Sequence, residues 1–213
     1  MREICSSLLI ILGLVVLLGG CTTPQLKEDL SGEFASEGLY KVKNSGFAEA
    51  FVRRDASLPG YRDVAIEPLN VSNIDIPNTV VEGTSRRDWQ MTPERQATLQ
   101  SVWAEAMNRA FSGYGRAGDT ANSLRITSQL VRIAPGRPST TTIGGMPPLG
   151  SSQDVVEIWA EFRLYDVANG ELLGVIRDSR TLTSFALSRT APATVRQLFG
   201  SWASLLHTRI SGR

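Results

Sequence analysis

The sequence predicts a two-layer α+β domain in which a mostly antiparallel sheet packs against two amphipathic helices. Three observations lead to this fold class. Several segments alternate between apolar and polar residues, as strands with one buried face do. Two longer segments repeat apolar residues at helical spacing. The elements follow one another as strand, helix, strand, hairpin and helix, which is typical of helices layered on a sheet.

The first strand and the first helix are expected between residues 61 and 115. Residues 61–69 (YRDVAIEPL) alternate as a strand, and Pro68 marks its end or an edge. Thr92 and Pro93 then open a helix, because threonine caps helices and proline fits their first turn. Its apolar stripe comprises Leu99, Val102, Trp103, Ala106, Ala110 and Tyr114.

The second half of the chain predicts another strand at 124–133 and a terminal helix near 192–210. If the strand at 124–133 is parallel to the strand at 61–69, the helix between them forms a right-handed crossover. The stripe of the terminal helix comprises Val195, Leu198, Phe199, Trp202, Leu205 and Leu206.

A β-hairpin is predicted between these two elements. Residues 155–166 alternate strictly, and Asn169-Gly170 turns the chain into a strand over 171–183. A type I turn with a glycine bulge is preferred over a two-residue turn. That register places Phe162 opposite Ile176 and Glu161 opposite Arg177, whereas the two-residue turn would set Phe162 against Arg177.

The N-terminus resembles the export signal of a bacterial lipoprotein. Residues 8–18 form an apolar run too short to span a bilayer as a helix, which needs about 20 residues. Leu18-Gly19-Gly20-Cys21 resembles a lipobox, in which the cysteine receives diacylglyceryl and the signal is cut before it. The alternative is an uncleaved anchor helix. Residues 1–20 are therefore expected to be a signal peptide, and Cys21 the lipidated first residue of the mature protein.

Residues 21–46 are polar, and we expect them to form a flexible tether. A single α+β domain is then expected over 47–213. Thr22 follows the lipidated cysteine, and this resembles the default signal for the outer membrane in enteric bacteria. The sequence therefore predicts a membrane contact through Cys21, with the domain in the periplasm.

Composition argues against several functional classes. The net charge is +1, with no block of like charges, so nucleic acid is not an expected partner. The two cysteines are Cys5 and Cys21, and the one histidine is His207. A mature domain without a further cysteine is not expected to hold a metal ion. His207 is expected to face solvent on the last helix.

We find no catalytic or cofactor-binding pattern and expect a non-enzymatic protein without cofactors. Glu157 and Glu161 share one strand face at about 13 Å, which is too far for a pair of glycosidase carboxylates. The glycine-rich segment 144–150 lacks the lysine of a phosphate-binding loop.

Candidate contacts with a partner lie on the outward face of the hairpin and in a long loop. Trp159 and Tyr165 face outward on the strand at 155–166, where the tether, a loop or a partner would cover them. The loop 135–154 is rich in glycine, proline and serine and longer than most connections. Its Met146 and Leu149 would form an apolar tip for a membrane or a protein.

Several segments in order resemble an uncharacterised family of Gram-negative lipoproteins that carries a domain of unknown function. They are 51–58 (FVRRDASL), Tyr61 with 64–69 (VAIEPL), 124–126 (LRI), the hairpin 157–173 and the helix around Trp202. The resemblance covers 47–210, and the polar insert 78–88 departs from the family pattern. It implies an envelope lipoprotein and supplies no catalytic residues.

The leading hypothesis is an outer-membrane-anchored module that binds an envelope protein in the periplasm. The alternative is a carrier of a lipid, a glycan or a small molecule, with a pocket between the sheet and the helices. A third hypothesis is an enzyme whose catalytic carboxylates come from different strands: Glu67, Glu157, Glu161 and Asp178.

Overall fold

The computed structural model describes residues 25–27, 32–77, 91–116, 122–135, 155–183 and 192–212. These residues form two long helices and an eight-stranded sheet. The elements are β1 (Gln25–Lys27), β2 (Leu39–Lys43), β3 (Glu49–Arg53), β4 (Asp63–Ile66), α1 (Pro93–Ala110), β5 (Gly115–Arg116), β6 (Ser123–Pro135), β7 (Val155–Asp166), β8 (Leu172–Thr183) and α2 (Pro192–Ser211).

The strand order is β1-β2-β3-β8-β7-β6-β4-β5. Neighbouring strands are antiparallel except that β4 is parallel to both β5 and β6. The predicted α+β class with a mostly antiparallel sheet is therefore confirmed. A crossover connection requires that β4 and β6 be parallel, and they are. Helix α1 lies between them in the chain. Beyond β4, Asn70 and Asp75 continue beside β6 through isolated bridges.

Both helices lie on one face of the sheet, which we call the inner face, and the core fills the space between the layers. Trp103 of α1 stacks on Phe162 of β7, with ring centroids 5.4 Å apart. Trp202 of α2 meets the same ring edge-on at 5.8 Å. Phe162 therefore contacts both helices. The opposite side of the sheet is called the outer face.

The predicted helix signals are confirmed. The hydroxyl of Thr92 accepts a hydrogen bond from the Arg95 backbone N–H at 3.3 Å, which caps α1. In α1 the core-facing residues are Leu99, Val102, Trp103, Ala106 and Met107, with Ala110 partly buried; Tyr114, predicted in the same stripe, lies beyond the end of the helix. In α2 they are Val195, Leu198, Phe199, Trp202, Ala203, Leu206 and Ile210, with Leu205 partly buried.

The predicted register of the β7–β8 hairpin is also confirmed. Phe162 lies opposite Ile176 on the inner face, and Glu161 lies opposite Arg177 on the outer face. Every second residue of β7 from 156 to 164 is buried, as the strict alternation of the sequence predicted.

The turn that produces this register is one residue longer than predicted. The N–H of Asp166 donates to the carbonyl of Glu171 at 2.9 Å, so the loop spans 167–170 and ends at Gly170 with a φ of 72°. A bulge at Leu173 follows, between the pairs Leu164–Gly174 and Tyr165–Leu172. The longer loop and the bulge shift the pairing in opposite directions, which restores the predicted register.

The flexible tether predicted over 21–46 is wrong for residues 25–27, which form β1, and for residues 32–46. A short 3₁₀-helix at Ala35–Glu37 and strand β2 lie in this range, and Phe34 and Leu39 are buried. These side chains pack against Phe51 and Val175 on the outer face. The apolar residues of the segment are too sparse to predict this packing, because their partners come from β3 and β8.

Several predictions fall outside the described residues. They are the signal peptide 1–20, lipidation at Cys21, and the loop 135–154 beyond Pro135 with Met146 and Leu149. Within the described ranges, no helix has the length and apolarity needed to cross a bilayer.

Candidate functional site

The outer face carries a small apolar surface around Trp159, which we call the outer-face patch. Its two apolar members are Val131 and Trp159, which are 40% and 44% exposed and are the exposed large hydrophobic residues of the described chain. Trp159 of β7 pairs with Arg132 of β6, and Val131 precedes Arg132. The patch therefore consists of one residue from each of two neighbouring strands.

A β-bulge explains why Val131 is exposed. The pairing of β6 with β7 shifts by one residue between Leu130 and Arg132, so Val131 is an additional residue in β6. Leu130 and Ile133 remain buried on the inner face. The bulge thus allows the side chains of Val131 and Arg132, which lie between Leu130 and Ile133, to face outward. The guanidinium of Arg132 forms an ion pair with the carboxylate of Asp75, at 3.0 Å.

Next to the patch, a chain of ion pairs crosses the outer face. Glu161 accepts hydrogen bonds from Arg163 at 2.7 Å and from Arg177 at 2.8 Å. Arg177 also donates two hydrogen bonds to Glu33, at 2.6 and 2.9 Å, and lies over the ring of Phe34. Through Arg177, residues 33–34 are attached to the centre of the sheet.

The pKa of Glu161 is lowered by this network. Partial burial raises the pKa of the carboxyl, but the hydrogen bonds from Arg177 and Arg163 outweigh burial and lower it below 4.5. The carboxylate is therefore ionised at neutral pH and has no proton to donate as a general acid.

Tyr165 does not join the outer-face patch. It lies six residues beyond Trp159 along β7, at about 20 Å. The guanidinium of Arg125 lies over its ring at 4.8 Å from the centroid, and the side chain is half-buried. The structure thus separates the two aromatic residues that the sequence placed on one surface, and Trp159 is the more exposed.

The other carboxylates of the enzyme hypothesis are also dispersed. Asp178 lies on the inner face and is buried. It accepts hydrogen bonds from the indole N–H of Trp202 at 2.7 Å, from the backbone N–H of Ala48 at 3.0 Å and from Arg180 at 2.7 Å. This set of donors satisfies the carboxylate and attaches α2 and the start of β3 to β8.

Glu67 is exposed and lies 3.7 Å from Arg125, while Glu157 is half-buried on the outer face. No two of the four candidate carboxylates form a pair at hydrogen-bond distance in the described structure. Among the described residues there is also no group of three or more His, Cys, Asp or Glu that could hold a metal ion.

The expectation that His207 faces solvent is wrong. The imidazole is half-buried and meets the rings of Phe111 and Tyr114 edge-on, at 5.4 and 5.8 Å between centroids. Both rings come from the end of α1, so this contact depends on how the two helices cross. The residue lines a cavity of about 160 Å³ together with Tyr61.

The side chain of Tyr61, which forms part of the wall of this cavity, is held in place by a hydrogen bond. Its hydroxyl donates a hydrogen bond to Asp166 at 2.7 Å. Burial, and then the hydrogen bond and charge of Asp166, raise the pKa of Tyr61 well above its ordinary value. The phenol therefore stays protonated and ties the segment before β4 to the hairpin.

A larger cleft lies between the edge of the sheet and α1, with a volume of about 530 Å³. On the sheet side it is lined by 64–68, and on the helix side by Gln100, Ser101, Trp103, Ala104 and Asn108. We call it the β4–α1 cleft. Arg116 of β5 lies at one end. Its volume is in the range of ligand-binding clefts.

Sequence reasoning missed both Val131 and this cleft. Val131 was missed although the alternation of this strand changes phase there: the buried apolar positions are even-numbered up to Leu130 and odd-numbered at Ile133. The cleft lies beside the short pairing between β4 and β5, which the sequence did not predict. Trp159 was found because its position in β7 follows directly from the alternation.

No family model matches the sequence, and no curated protein matches it. Similar solved structures include a PelC dodecamer from Paraburkholderia phytofirmans, at 12% identity over 74% of this chain and 96% of that chain, with a TM-score of 0.40. A hypothetical protein from Chlamydia trachomatis shares 7% identity over 72% of this chain and 99% of that chain, with a TM-score of 0.40. A lipoprotein from Neisseria meningitidis shares 12% identity over 71% of this chain and 99% of that chain, with a TM-score of 0.36. Membership of the lipoprotein family that the sequence resembles stays a prediction.

Proposed function

We propose that the protein is an outer-membrane-anchored periplasmic lipoprotein that binds another envelope protein without catalysing a reaction. The lipobox before Cys21 supports the lipid anchor, and Thr22 supports the outer membrane as its destination. Several acyl chains on one cysteine hold a protein durably at a membrane, whereas one chain does not. The proposed partner is therefore a protein that reaches the same membrane surface.

The observation that carries the proposal is the exposure of Val131 and Trp159 on adjacent strands. Tryptophan is over-represented among the residues that dominate the binding energy of protein interfaces. Both side chains lie on long paired strands, so little conformational entropy is lost when a partner covers them. The neighbouring Arg132 and Asp75 provide a polar border.

The position of β1 supports a partner close to the membrane. Gln25 begins β1 four residues after Cys21, so at most about 14 Å of extended chain separates the sheet from the lipidated residue. In the strand order β7 is four strands from β1, or about 19 Å across the sheet. If Cys21 carries the lipid, the outer-face patch is within a few tens of ångströms of the membrane surface.

In-cell crosslinking with the full-length lipidated protein tests this function. A photoreactive amino acid replaces Trp159 in one variant and Gln197, an exposed residue of α2, in the control. We expect a discrete protein adduct from position 159 and none from position 197. Val131→Ala introduced with the probe should reduce the adduct several-fold without changing protein abundance.

The proposal is wrong if position 159 yields no discrete protein adduct, or if both positions yield the same adducts. Adducts only with lipid at position 159 would also contradict it, because the patch would then face the membrane.

A further inference from the structure

Within the described ranges, which stop at Arg116 and resume at Asn122, only the first half of β4 is paired on the side of β5. On one side β4 pairs with β6 along its whole length, from Asp63 to Ile66. On the other side β5 pairs only with Asp63 and Val64. Within the described ranges, Ala65 and Ile66 therefore have no strand neighbour on the side of the β4–α1 cleft.

The backbone of Ile66 directs its polar groups toward this open side. The N–H of Glu67 donates to the carbonyl of Ile126 in β6 at 3.0 Å. Alternate residues of a strand point their N–H and C=O groups to opposite sides, so those of Ile66 point away from β6. An unpaired strand edge of this kind is a template for another extended chain.

The β4–α1 cleft beside this edge is bounded by helix α1 on one side and by the aromatic ring of Trp103 at its base. Ser101, Ala104 and Asn108 of α1 are exposed along the wall. Trp103 lines the floor, and its indole Nε1 is buried without a hydrogen-bond acceptor among the described residues.

The charges at the two ends of the cleft differ. Arg116 is exposed at the β5 end and forms no ion pair with any residue that the structure describes. Glu67 lies about 10 Å away along β4, three residues beyond the Val64–Arg116 pair. A strand entering the cleft would therefore meet the positive charge of Arg116 at one end, whereas Glu67 at the other end is already paired with Arg125.

We propose that the β4–α1 cleft binds an extended peptide segment of a partner protein, which adds to the sheet as a strand beside β4. The N–H and C=O of Ile66 hold the peptide backbone, and Arg116 binds a carboxylate of the peptide. This mode of recognition gives affinity through main-chain hydrogen bonds and selectivity through side chains at the ends. The site is separate from the outer-face patch and does not depend on it.

Selection of displayed random dodecapeptides against the full mature protein in detergent tests the proposal. Enriched peptides should contain an acidic residue, and Arg116→Gln should weaken their binding at least tenfold. The control Arg196→Gln, at an exposed arginine of α2, should leave the affinity unchanged, as should Trp159→Ala. N-methylation of alternate peptide amides should abolish binding, and the bound peptide should slow amide exchange at Ile66.

Four results would overturn the inference. The first is that no peptide is enriched, and the second is that binding of the enriched peptides is insensitive to Arg116→Gln but lost with Trp159→Ala. Binding that tolerates N-methylation would indicate a small-molecule cleft without strand addition. Protection of the Ile66 amide in the free protein would show that a segment of this chain already occupies the edge.

Discussion

Among the described residues, the inner face of the sheet is covered by α1 and α2, whereas the outer face is covered by the short N-terminal segment 32–38 over only part of its width. The inner core is almost entirely apolar, with Asp178 as a buried carboxylate at its border. The outer cluster is much smaller and comprises Phe34, Leu39, Phe51 and Val175. Beyond it the outer face carries paired charges and then the exposed Val131 and Trp159.

The two faces differ in how many apolar side chains their covering elements bury, while both include contacts between residues far apart along the chain. The two helices each present a continuous apolar stripe, so each buries its own face against the sheet. The outer covering depends on contacts such as Glu33 with Arg177, which are 144 residues apart. The inner face should therefore account for most of the stability, while the outer face remains available for binding.

The largest expected effect comes from a cavity in the inner core. Phe162→Ala removes a ring that contacts Trp103, Trp202 and Phe47. We expect the free energy of unfolding to fall by about 3–5 kcal/mol, because the helices cannot close the space. Trp159→Ala, three residues earlier on the opposite face, should change it by less than about 1 kcal/mol. Urea denaturation of both variants measures the difference.

Equal losses from these two substitutions would contradict the asymmetry between the faces. A large loss from Trp159→Ala alone would show that the outer-face patch is covered in the folded protein, and it would then be unavailable to a partner.

Much of the inner face could be predicted from the sequence. Its elements carry local signals: the Thr92 cap, the helical stripes and the alternation of 155–166. Even the pairing of Phe162 with Ile176 followed from requiring apolar residues to meet across the hairpin. The turn itself was one residue longer than predicted, because the compensating bulge at Leu173 has no local signal.

The outer face could be predicted only in strands whose sequence alternates between apolar and polar residues. Trp159 followed from the pattern of β7, but the packing of Phe34 depends on partners in β3 and β8. His207 was misplaced because the rings that cover it come from the segment that follows α1. Such contacts are set by the packing of distant elements, which no local pattern encodes.

A substitution in the outer cluster tests whether residues 32–38 belong to the fold. Phe34 meets Phe51 edge-on at 5.1 Å and supports the guanidinium of Arg177. We expect Phe34→Ala to lower the free energy of unfolding by about 2–3 kcal/mol, less than the inner-core cavity, because few residues surround it. Hydrogen exchange should increase in 32–43 and remain slow in β7.

If Phe34→Ala left exchange in 32–43 unchanged, the segment would not depend on this cluster. Phe34→Leu provides the matched control, because it retains an apolar side chain and should recover most of the protection.

The smallest effect concerns the charge of Glu161. Because the folded-state pKa of Glu161 lies below the ordinary value of 4.5, its ion pairs stabilise the fold above about pH 4.5. This contribution is lost as the pH falls through the lowered pKa. Glu161→Gln should therefore cost less than about 1 kcal/mol at pH 7, and the difference from the unsubstituted protein should shrink toward pH 3.

Glu157→Gln on the same face serves as control, and urea midpoints at pH 7, 5 and 3 give the comparison. A difference that stays constant over this range would mean that Glu161 acts through packing, and the ion pairs would then not be what attaches the N-terminal segment to the sheet.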